Sequence, residues 1–355
     1  MGLSGPMLHR PKEGIRRNFQ RRKGRKLQNP DSRFMSLALN LARKGGRDVA
    51  PNPMVGAVVV KNGKIIGKGY HKKFGGPHAE VIAINSVRSS AELKGATIYV
   101  TLEPCRHFGK TPPCLPLIEA VGISRVVCGS HDPFRKISKL QNPKTKKFPN
   151  YKTQKPKIII EFLKGKVADD CGKLNKFFFT WVMKKRPFVT VKIAMSADGF
   201  VAGLGGKPIR ITSTKQDREV HKLRASHQAI MVGINTILND DPQLNVRGFK
   251  GRDPLRVILD SELKIPKTAK ALKDKNYLIA TCKKTGHRGL NIWVSQGHQI
   301  NINKLLRYLG GNGISSVLVE PGPTLYRSLK EEHLIDELIV YRSPKRIGKG
   351  LKLML

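Results

Sequence analysis

Residues 76–81 read Gly-Pro-His-Ala-Glu-Val, and residues 101–114 read Thr-Leu-Glu-Pro-Cys-Arg-His-Phe-Gly-Lys-Thr-Pro-Pro-Cys. Together they hold one imidazole, from His78, and two thiols, from Cys105 and Cys114. One nitrogen and two thiolates form the protein ligand set of a catalytic zinc, which keeps its fourth position open for water. The two stretches therefore predict one zinc per chain, bound where it can lower the pKa of water to about 7.

Glu80 follows His78 by two residues, as in the H-x-E…P-C signature of zinc deaminases. We interpret Glu80 as the catalytic group that carries a proton from water to the substrate ring and then to the leaving ammonia. Taken alone, His78 would more often be a capping or core histidine, and Cys105 a buried structural thiol. The joint pattern outweighs both interpretations and predicts a zinc deaminase site.

Eight residues separate Cys105 from Cys114, whereas nucleic-acid and nucleoside deaminases typically have two. The longer spacing predicts an extra loop beside the metal, in which Lys110 and Thr111 are candidates for binding a substrate phosphate. His107 lies too close to Cys105 to be a preferred metal ligand, and we expect it to face substrate or solvent. Both thiolates are expected at the start of a helix, where the helix dipole favours negative charge.

Hydrophobic periodicity on either side of the motif predicts an α/β domain in the first half of the chain. Helical spacing from Phe34 to Ala42 ends at Gly45-Gly46, and Asn62-Gly63 predicts a hairpin turn. Helices and strands then alternate, which favours a helix-flanked sheet. The predicted elements after the first helix are strands 54–60 and 65–70, helix 78–87, strand 96–102, helix 115–120, strands 125–129 and 157–162, and helix 167–183.

A second α/β domain is predicted after Lys184-Lys185-Arg186-Pro187, the best candidate for a domain boundary. We therefore expect a basic extension over 1–30, a zinc deaminase domain over 31–183 and a second domain over 187–355. Residues 131–156, rich in Lys, Pro and Asn, are expected to form a long loop. The predicted elements of the second domain are helix 215–224 and strands 188–194, 229–232, 256–259, 277–280, 316–319 and 337–341.

The chain is strongly basic, with 67 Lys and Arg against 25 Asp and Glu and a formal net charge of +42. Solvated lysine-rich faces explain this charge at least as well as nucleic-acid binding does, and part of it can serve phosphate sites. The basic segment His9–Lys26 lacks an apolar core and is not a secretory signal. Five cysteines do not fit a disulfide scaffold, and thiolate metal ligands imply a reducing compartment. No apolar run is long enough to cross a membrane.

Two sets of motifs resemble the bifunctional deaminase–reductase family of riboflavin biosynthesis, and they occur in that family's order from about residue 33 onward. The first set lies in the zinc half and the second beyond the predicted boundary. The motifs are Pro51-Asn52-Pro53, Gly76–Val81, Val100–Cys105, Thr111–Cys114, Lys192, Ser196–Gly199, His221–Ala225, Asp240–Leu244, Val246-Arg247, Arg256–Asp260, Glu320, Gly322–Leu325 and Asp336–Leu338.

The resemblance implies a cytidine-deaminase-like zinc domain followed by a dihydrofolate-reductase-like domain. It also implies two reactions. The first is the zinc-dependent hydrolytic deamination of 2,5-diamino-6-ribosylamino-4(3H)-pyrimidinone 5′-phosphate. The second is the NADPH-dependent reduction of the ribosyl group of the product to ribityl.

The resemblance further implies the residues of each site. It carries over His78, Cys105 and Cys114 as zinc ligands and Glu80 as the proton carrier. Singly, the arginines of the second half would more often be solvated surface charges, so their roles depend on the resemblance. The implied substrate contacts are Asn52, Pro208, Arg224, Leu244, Arg247 and Glu320. The implied NADP contacts are Ala194, Arg210, Thr236, Asp240, Ser261, Gly322, Pro323, Thr324 and Leu325.

Several positions depart from the family pattern, mostly in the reductase half. Arg106 and Phe134 replace the usual Ser and Asn of the first half. Pro208 stands where a substrate-contacting Ser is common, and Arg210 where a cofactor-contacting Trp is usual. The family also continues with more strand after Pro344-Lys345. We therefore expect the deaminase chemistry to be intact, and the reductase half to be weaker and less stable.

Two other functions compete with the bifunctional small-molecule enzyme. One is a nucleic-acid-binding deaminase, which would need C-x-x-C spacing and aromatic residues among the basic ones, whereas the basic segment has only Phe19. The other is an active deaminase with a reductase half that serves as a scaffold. For the favoured enzyme we expect phosphorylated pyrimidine substrates, no membrane or nucleic-acid partner and a cytoplasmic location, and homo-oligomer formation is left open.

Overall fold

The first half of the chain forms a five-stranded sheet with the strand order β2-β1-β3-β4-β5. The computed structural model describes residues 29–106, 108, 111–134, 158–249, 251–284 and 289–355. The elements of this half are α1 (Pro30–Ala42), β1 (Gly56–Lys61), β2 (Lys64–Tyr70), α2 (Ala79–Asn85), β3 (Thr97–Val100), α3 (Cys114–Ala120), β4 (Arg125–Cys128), β5 (Ile159–Phe162), α4 (Lys166–Leu174) and α5 (Lys176–Lys184).

Helices cover both faces of this sheet because successive strand residues point to opposite sides. Val58 and Val60 pack with α1 and α4, whereas Ala57 and Val59 pack with α2, α3 and α5. The hairpin predicted from Asn62-Gly63 is confirmed, since β1 and β2 pair antiparallel on either side of it. Both turn residues have positive φ, at 49° and 73°, as a type I′ turn requires.

Gly69 in β2 lets α2 approach the sheet closely. A Cβ at this position would lie 2.4 Å from the carbonyl oxygen of Ala79, in the first turn of α2. The backbone contact therefore excludes any side chain here. Because His78 caps the N-terminus of α2, this close packing also positions the predicted zinc ligand against the sheet.

The prediction of one helix over 167–183 is wrong, because α4 and α5 are separate helices that meet at Asn175. The backbone of Asn175 lies outside the helical region, with φ −104° and ψ 21°. Its side-chain amide accepts a hydrogen bond from Met54 N (2.8 Å) and donates one to Met54 O (3.0 Å). An Asn side chain that satisfies a distant backbone competes with helix continuation. This contact ties α5 to the segment that leads into β1.

The second half of the chain contains a seven-stranded sheet in the order β11-β10-β9-β8-β12-β6-β13. All neighbouring strands in it run parallel, as predicted for a doubly wound domain. Its elements and the small β7–β14 pair are β6 (Phe188–Met195), β7 (Phe200–Ala202), α6 (Thr214–Ser226), β8 (Ala229–Gly233), α7 (Ile234–Asp240), β9 (Leu255–Leu259), β10 (Tyr277–Thr281), β11 (Ile292–Val294), α8 (Ile302–Gly311), β12 (Ser316–Val319), α9 (Pro323–Glu331), β13 (Glu337–Arg342) and β14 (Leu351–Lys352).

Both faces of the parallel sheet are covered, and its carboxyl edge is where helices begin. Residues of α8 and α9 join the hydrophobic cluster on one face, and residues of α7 join the cluster on the other. The adjacent strands β8 and β12 are followed by α7 and α9 respectively. In open α/β sheets the crevice at the carboxyl ends of the strands binds ligands. The short strands β7, β11 and β14 were not predicted, because two or three residues carry little periodicity.

The two halves contact each other directly around the predicted boundary. Lys185 ends α5 in the left-handed conformation, with φ 56°. The buried Arg186 donates two hydrogen bonds to the carboxylate of Asp336, at 2.5 and 3.1 Å. Trp181 Nε1 donates to the carbonyl oxygen of Gly310 at 2.8 Å. The segment between the two sheets is therefore a packed junction.

Several predictions fall outside the described residues. These residues do not include 1–28 and 135–157, which hold most of the predicted basic extension and of the predicted long loop, nor His107 and Lys110. Within the described part of the chain, no helix combines the length and the apolar character that a membrane span needs.

Candidate active sites

The structure brings the three predicted zinc ligands together. His78 Nδ1 lies 3.2 Å from Cys114 Sγ and 3.6 Å from Cys105 Sγ, and all three ligand atoms lie within 4.8 Å of one another. His78 precedes α2, Cys114 begins α3, and Cys105 lies in the loop after β3. The folded chain thus converges one nitrogen and two sulfurs on one point, which fits the donor set of a zinc site.

The two thiols differ in their positions, which corrects the prediction that both lie at a helix start. Only Cys114 begins a helix. Its backbone N–H donates to Cys105 Sγ at 3.3 Å. The N-terminus of α3 therefore stabilises negative charge on Cys105, which lies in the preceding loop. Hydrogen bonds from the Cys114 thiol and from the His78 ring lower the pKa of Cys105. Cys105 is thereby prepared to act as a thiolate.

Glu80 lies beside the cluster in the first turn of α2 and is only 4% exposed. Burial raises its pKa to about 7. A carboxyl group with such a pKa both accepts and releases protons near neutrality, which is what a general acid–base group requires. Glu80 therefore has the position and the ionisation behaviour expected of the predicted proton carrier.

The ring of His78 is held on its second nitrogen. Thr111 Oγ1 lies 3.1 Å from His78 Nε2, which leaves Nδ1 facing the two thiols. A partner on the free nitrogen of a metal-binding histidine fixes the orientation and tautomer of the ring. Thr111, which the sequence suggested as a phosphate ligand, thus contacts the metal ligand in this structure.

A cavity of about 310 Å³ opens over the cluster and contains Asn52 and Glu80 in its wall. Asn52 Nδ2 lies 3.2 Å from His71 Nε2, and His71 Nδ1 lies 2.9 Å from the carbonyl oxygen of Pro77. Because the amide nitrogen donates, the Asn52 amide is oriented by a buried imidazole. Sequence reasoning missed His71, which belongs to no motif in the chain and is recognised only by these contacts.

In the second half, the structure joins two predicted substrate residues in an ion pair. Arg224 Nε and Nη2 donate to Glu320 Oε1 and Oε2, at 2.9 and 3.0 Å. The two side chains are 11% and 18% exposed. Burial acts to raise the pKa of Glu320, but the charges of Arg224 and Lys192 outweigh it and lower that pKa to about 2. The carboxylate is therefore ionised at neutral pH.

The backbone of Arg247 lies near the Arg224–Glu320 ion pair. Arg247 N donates to His221 Nδ1 at 3.2 Å, and His221 is on the same helix as Arg224. The side chain of Arg247 is exposed. Leu244, another predicted substrate residue, is only 2% exposed and packs in the hydrophobic core. Its side chain supports the fold beneath the site.

The predicted cofactor residues fall into three groups. Ala194, Thr236, Ser261 and the Gly322-Pro323 turn are partly exposed. Thr324, Asp240, Arg210 and the predicted substrate residue Pro208 are exposed, and Arg210 Nη2 pairs with Asp217 Oδ2 at 3.2 Å. Leu325 is buried in the core beneath the sheet.

Two glycines lie at the carboxyl edge of the parallel sheet, among the predicted cofactor residues. Gly233 is the last residue of β8, and Gly322 follows the adjacent strand β12. A Cβ on either would meet no atom within 4 Å outside the neighbouring residues. Gly322 also caps the N-terminus of α9. A glycine before a helix N-terminus suits close approach of a phosphate. These positions fit the dinucleotide that the resemblance implies.

Comparison with known proteins shows which family the chain belongs to. The riboflavin biosynthesis protein RibD of Aquifex aeolicus is 39% identical, and the match covers 91% of this chain and 89% of that protein. RibD of Escherichia coli is 36% identical, with 91% and 90% covered. The chain belongs to the RibD family. The predicted membership of the deaminase–reductase family of riboflavin biosynthesis is thereby confirmed.

Two family models match parts of the two halves of the chain. A model described as cytidine and deoxycytidylate deaminase zinc-binding region matches residues 28–130, and the RibD C-terminal domain matches residues 187–354. The predicted fold class, a cytidine-deaminase-like zinc domain followed by a reductase domain, is confirmed. The chain is a bifunctional enzyme with a zinc-binding deaminase domain and a reductase domain, and the comparisons support neither alternative function.

Solved RibD structures have the same arrangement. The structure of a diaminohydroxyphosphoribosylaminopyrimidine deaminase/5-amino-6-(5-phosphoribosylamino)uracil reductase from Thermotoga maritima has a TM-score of 0.77 at 38% identity, with 91% of this chain and 89% of that chain covered. RibD of Acinetobacter baumannii has a TM-score of 0.77 at 34% identity, with 92% and 90% covered.

Proposed function

We propose that this chain, a member of the RibD family, catalyses two consecutive steps on one phosphorylated pyrimidine. In the first, residues 31–183 deaminate 2,5-diamino-6-ribosylamino-4(3H)-pyrimidinone 5′-phosphate. In the second, residues 187–355 use NADPH to reduce the ribosyl group of the product to ribityl. The observation that carries the proposal is the convergence of His78, Cys105 and Cys114 beside the buried carboxyl of Glu80.

His78, Cys105 and Cys114 would hold a single zinc ion, since no other group of metal-binding side chains occurs among the described residues. When bound, zinc supplies Lewis acidity that makes water a nucleophile at neutral pH. Glu80 takes a proton from the attacking water and delivers it to a ring nitrogen of the substrate. It then takes the remaining proton from the hydroxyl group added to the ring and passes it to the amino group, so that the C–N bond breaks, ammonia departs and a carbonyl group remains. Asn52, oriented by His71, binds the substrate ring from the facing wall.

In the reductase half, Arg224 and Arg247 bind the substrate phosphate, for which guanidinium groups are well suited. Glu320 holds the Arg224 guanidinium in place through two hydrogen bonds. Ala194, Thr236, Asp240, Ser261 and the turn at 322–325 would hold NADPH along the carboxyl edge of the sheet, with Arg210 at its exposed rim. When bound, NADPH supplies the hydride that reduces the sugar carbon.

Mass spectrometry of the zinc-loaded full chain tests both steps. The substrate is supplied with and without NADPH. We expect the deaminated product to accumulate without NADPH and to be converted to the ribityl product with NADPH. Absence of the deaminated product in the sample without NADPH would disprove the first assignment. Accumulation of that product in the presence of NADPH would show that the reductase half is only a scaffold.

A thermal measurement tests cofactor binding independently of turnover. NADPH at about 100 times its Kd should stabilise the folded reductase half by about 2.7 kcal/mol. Because NADPH is the proposed cofactor, we expect a higher Tm with NADPH than with NADH at equal concentration. Equal Tm values with NADPH and with no nucleotide would contradict the assigned cofactor site.

A further inference from the structure

A second cavity lies between the two halves of the molecule. Its volume is about 310 Å³, equal to that of the cavity over the metal cluster, and within the size range of small-molecule sites. One side is formed by the segment 46–54 and by the start of α5, and the other by the last turns of α6 and the start of β12. We call it the inter-domain cavity.

The inter-domain cavity shares a wall with the deaminase cavity. Asn52 and Phe178 line both, so at this point the two cavities are separated by the thickness of these side chains. The Phe178 side chain is only 7% exposed, and its ring lies 6.0 Å from that of Phe134. Asn52 is the proposed substrate contact. A molecule leaving the deaminase site thus has the inter-domain cavity directly behind one wall of its pocket.

Helix α6 connects the inter-domain cavity to the reductase site. Lys222, Ala225 and Ser226 of this helix line the cavity. Arg224, which lies between them in the sequence, pairs with Glu320 in the reductase site. Adjacent residues of one helix therefore serve the cavity and the proposed phosphate site, so the two are neighbours across a single helix.

A second connection runs through Arg47. This residue lines the inter-domain cavity from the deaminase side. Its guanidinium donates to the carbonyl oxygens of Arg252 (2.5 Å) and Asp253 (3.1 Å). Asp253 Oδ1 in turn accepts from the backbone N–H of Val246 at 2.8 Å, next to Arg247. Arg47 thus links the cavity wall to the loop that carries a proposed phosphate ligand.

The described lining of the inter-domain cavity is mostly neutral. Its charged members are the two cations Arg47 and Lys222, and it contains no Asp or Glu. Arg47 donates to two backbone carbonyls, and the charges of Asp253 and Asp48 also act on it. The Lys222 ammonium lies 4.0 Å from the carboxylate of Glu219. Phe177 and the largely buried Phe178 contribute aromatic side chains to the wall. Cations beside aromatic rings suit a phosphorylated heterocycle.

We propose that the inter-domain cavity binds the phosphorylated aminopyrimidine released by the deaminase site and holds it for the reductase site. The inference rests on the proposed function, because it needs both reactions to act on one molecule. Arg47 and Lys222 bind the phosphate, and the Phe177 and Phe178 rings contact the base. The intermediate then reaches Arg224 and Arg247 without mixing fully with solvent.

Isotope dilution on the zinc-loaded full chain with NADPH tests this proposal. Ring-labelled substrate is converted while unlabelled deaminated intermediate is added in excess. We expect the labelled fraction of the ribityl product to exceed the labelled fraction of the intermediate in solution. A product with the label content of the pool would overturn the proposal.

Two variants test the cavity itself. Lys222→Glu reverses a charge in its wall, and Ala225→Trp fills it. The preference in question is that of the reductase site for intermediate formed by the deaminase site over added intermediate. Each variant should lower it by about tenfold, the effect of losing a contact to a charged group. The matched controls Lys304→Glu and Ala91→Trp alter exposed residues that do not line the cavity, and should leave the preference unchanged.

Separate assays of each step keep the two proposals distinguishable. Deamination of substrate and reduction of added intermediate are measured one at a time, and the controls should stay within about twofold of the unmodified chain. Loss of either step in the unmodified chain would disprove the proposed function. If Lys222→Glu carries out both steps and its preference is unchanged, the role of the cavity is disproved, even if Ala225→Trp fails to fold.

Discussion

The metal cluster and the Arg224–Glu320 pair are assembled from the chain in different ways. The three metal-binding atoms come from one stretch, residues 78–114. His78 and Cys114 lie at the starts of short helices, and Cys105 lies in the loop after β3. Arg224 and Glu320 come from α6 and from the end of β12, nearly a hundred residues apart. The first site is local and set by the donor chemistry of a metal, whereas the second depends on the assembly of a seven-stranded sheet.

This difference explains why the two sites are recognisable from the sequence to different degrees. A zinc site needs a particular donor atom at each ligand position, so its residues form a recognisable motif. The reductase site uses helix ends, glycines and charged side chains, each of which also occurs for structural reasons. Arg210, exposed and paired with Asp217, replaces a residue of the family pattern without visible disruption of the sheet.

The largest effect is expected from a metal ligand. Cys105→Ser should lower zinc affinity at least about 100-fold, since changes to partners outside the ligand set already cost 10–100-fold, and deamination should disappear with the metal. Metal analysis of the purified protein measures the loss. Cys282→Ser is the matched control, because Cys282 is remote from the cluster. Reduction of added intermediate should survive in both variants, and full zinc content in Cys105→Ser would disprove the ligand assignment.

The next effect concerns chemistry without loss of metal. Glu80→Gln keeps the shape of the side chain but removes its ability to carry a proton. We expect normal zinc content and at least about 100-fold slower deamination, the usual scale for a positioned acid–base group. The reductase step serves as the internal control. Near-normal deamination in the zinc-loaded variant would mean that another group moves the proton.

A smaller effect is expected from the ion pair of the reductase half. Arg224→Gln leaves Glu320 without its main partner, and we expect a loss of about 2 kcal/mol in unfolding free energy at pH 7, below the range for fully buried pairs. Because the pKa of Glu320 is lowered from 4.5 to about 2, its stabilisation is present above pH 4.5 and disappears as pH falls toward 2. The difference between unmodified chain and variant should shrink over that window.

The matched control for this measurement is Arg210→Gln. Arg210 and Asp217 are 67% and 41% exposed, so breaking this pair should cost less than about 1 kcal/mol at any pH. Denaturant unfolding of both variants at neutral and acidic pH gives the comparison. An equal loss at both pH values in Arg224→Gln would show that Glu320 is not the group responsible.

The smallest effect is expected at the N-terminus. Removal of residues 1–28 should leave both activities nearly unchanged, because the described sites begin after α1. Removal of residues 1–30 also takes Asn29, whose side chain accepts from Asp31 N at 3.0 Å and caps α1. We expect the longer deletion to be less stable by about 1 kcal/mol. A large loss of activity in the shorter deletion would show that the basic segment contributes to a site.

The sequence by itself determined the chemistry of the deaminase site, the alternation of helices and strands and the family. Donor atoms and hydrophobic periodicity are properties of residue type and spacing, and both survive without coordinates. The hairpin at Asn62-Gly63 was predictable for the same reason, since few residues adopt two consecutive positive φ angles.

Only the tertiary structure decided how distant groups meet. The break at Asn175 depends on the backbone of Met54, and the orientation of Asn52 depends on the buried ring of His71. The inter-domain cavity exists because α5 and α6, which come from different halves of the chain, lie on opposite sides of it. Such features arise from long-range packing and hydrogen bonding, for which the local spacing of residues carries no signal.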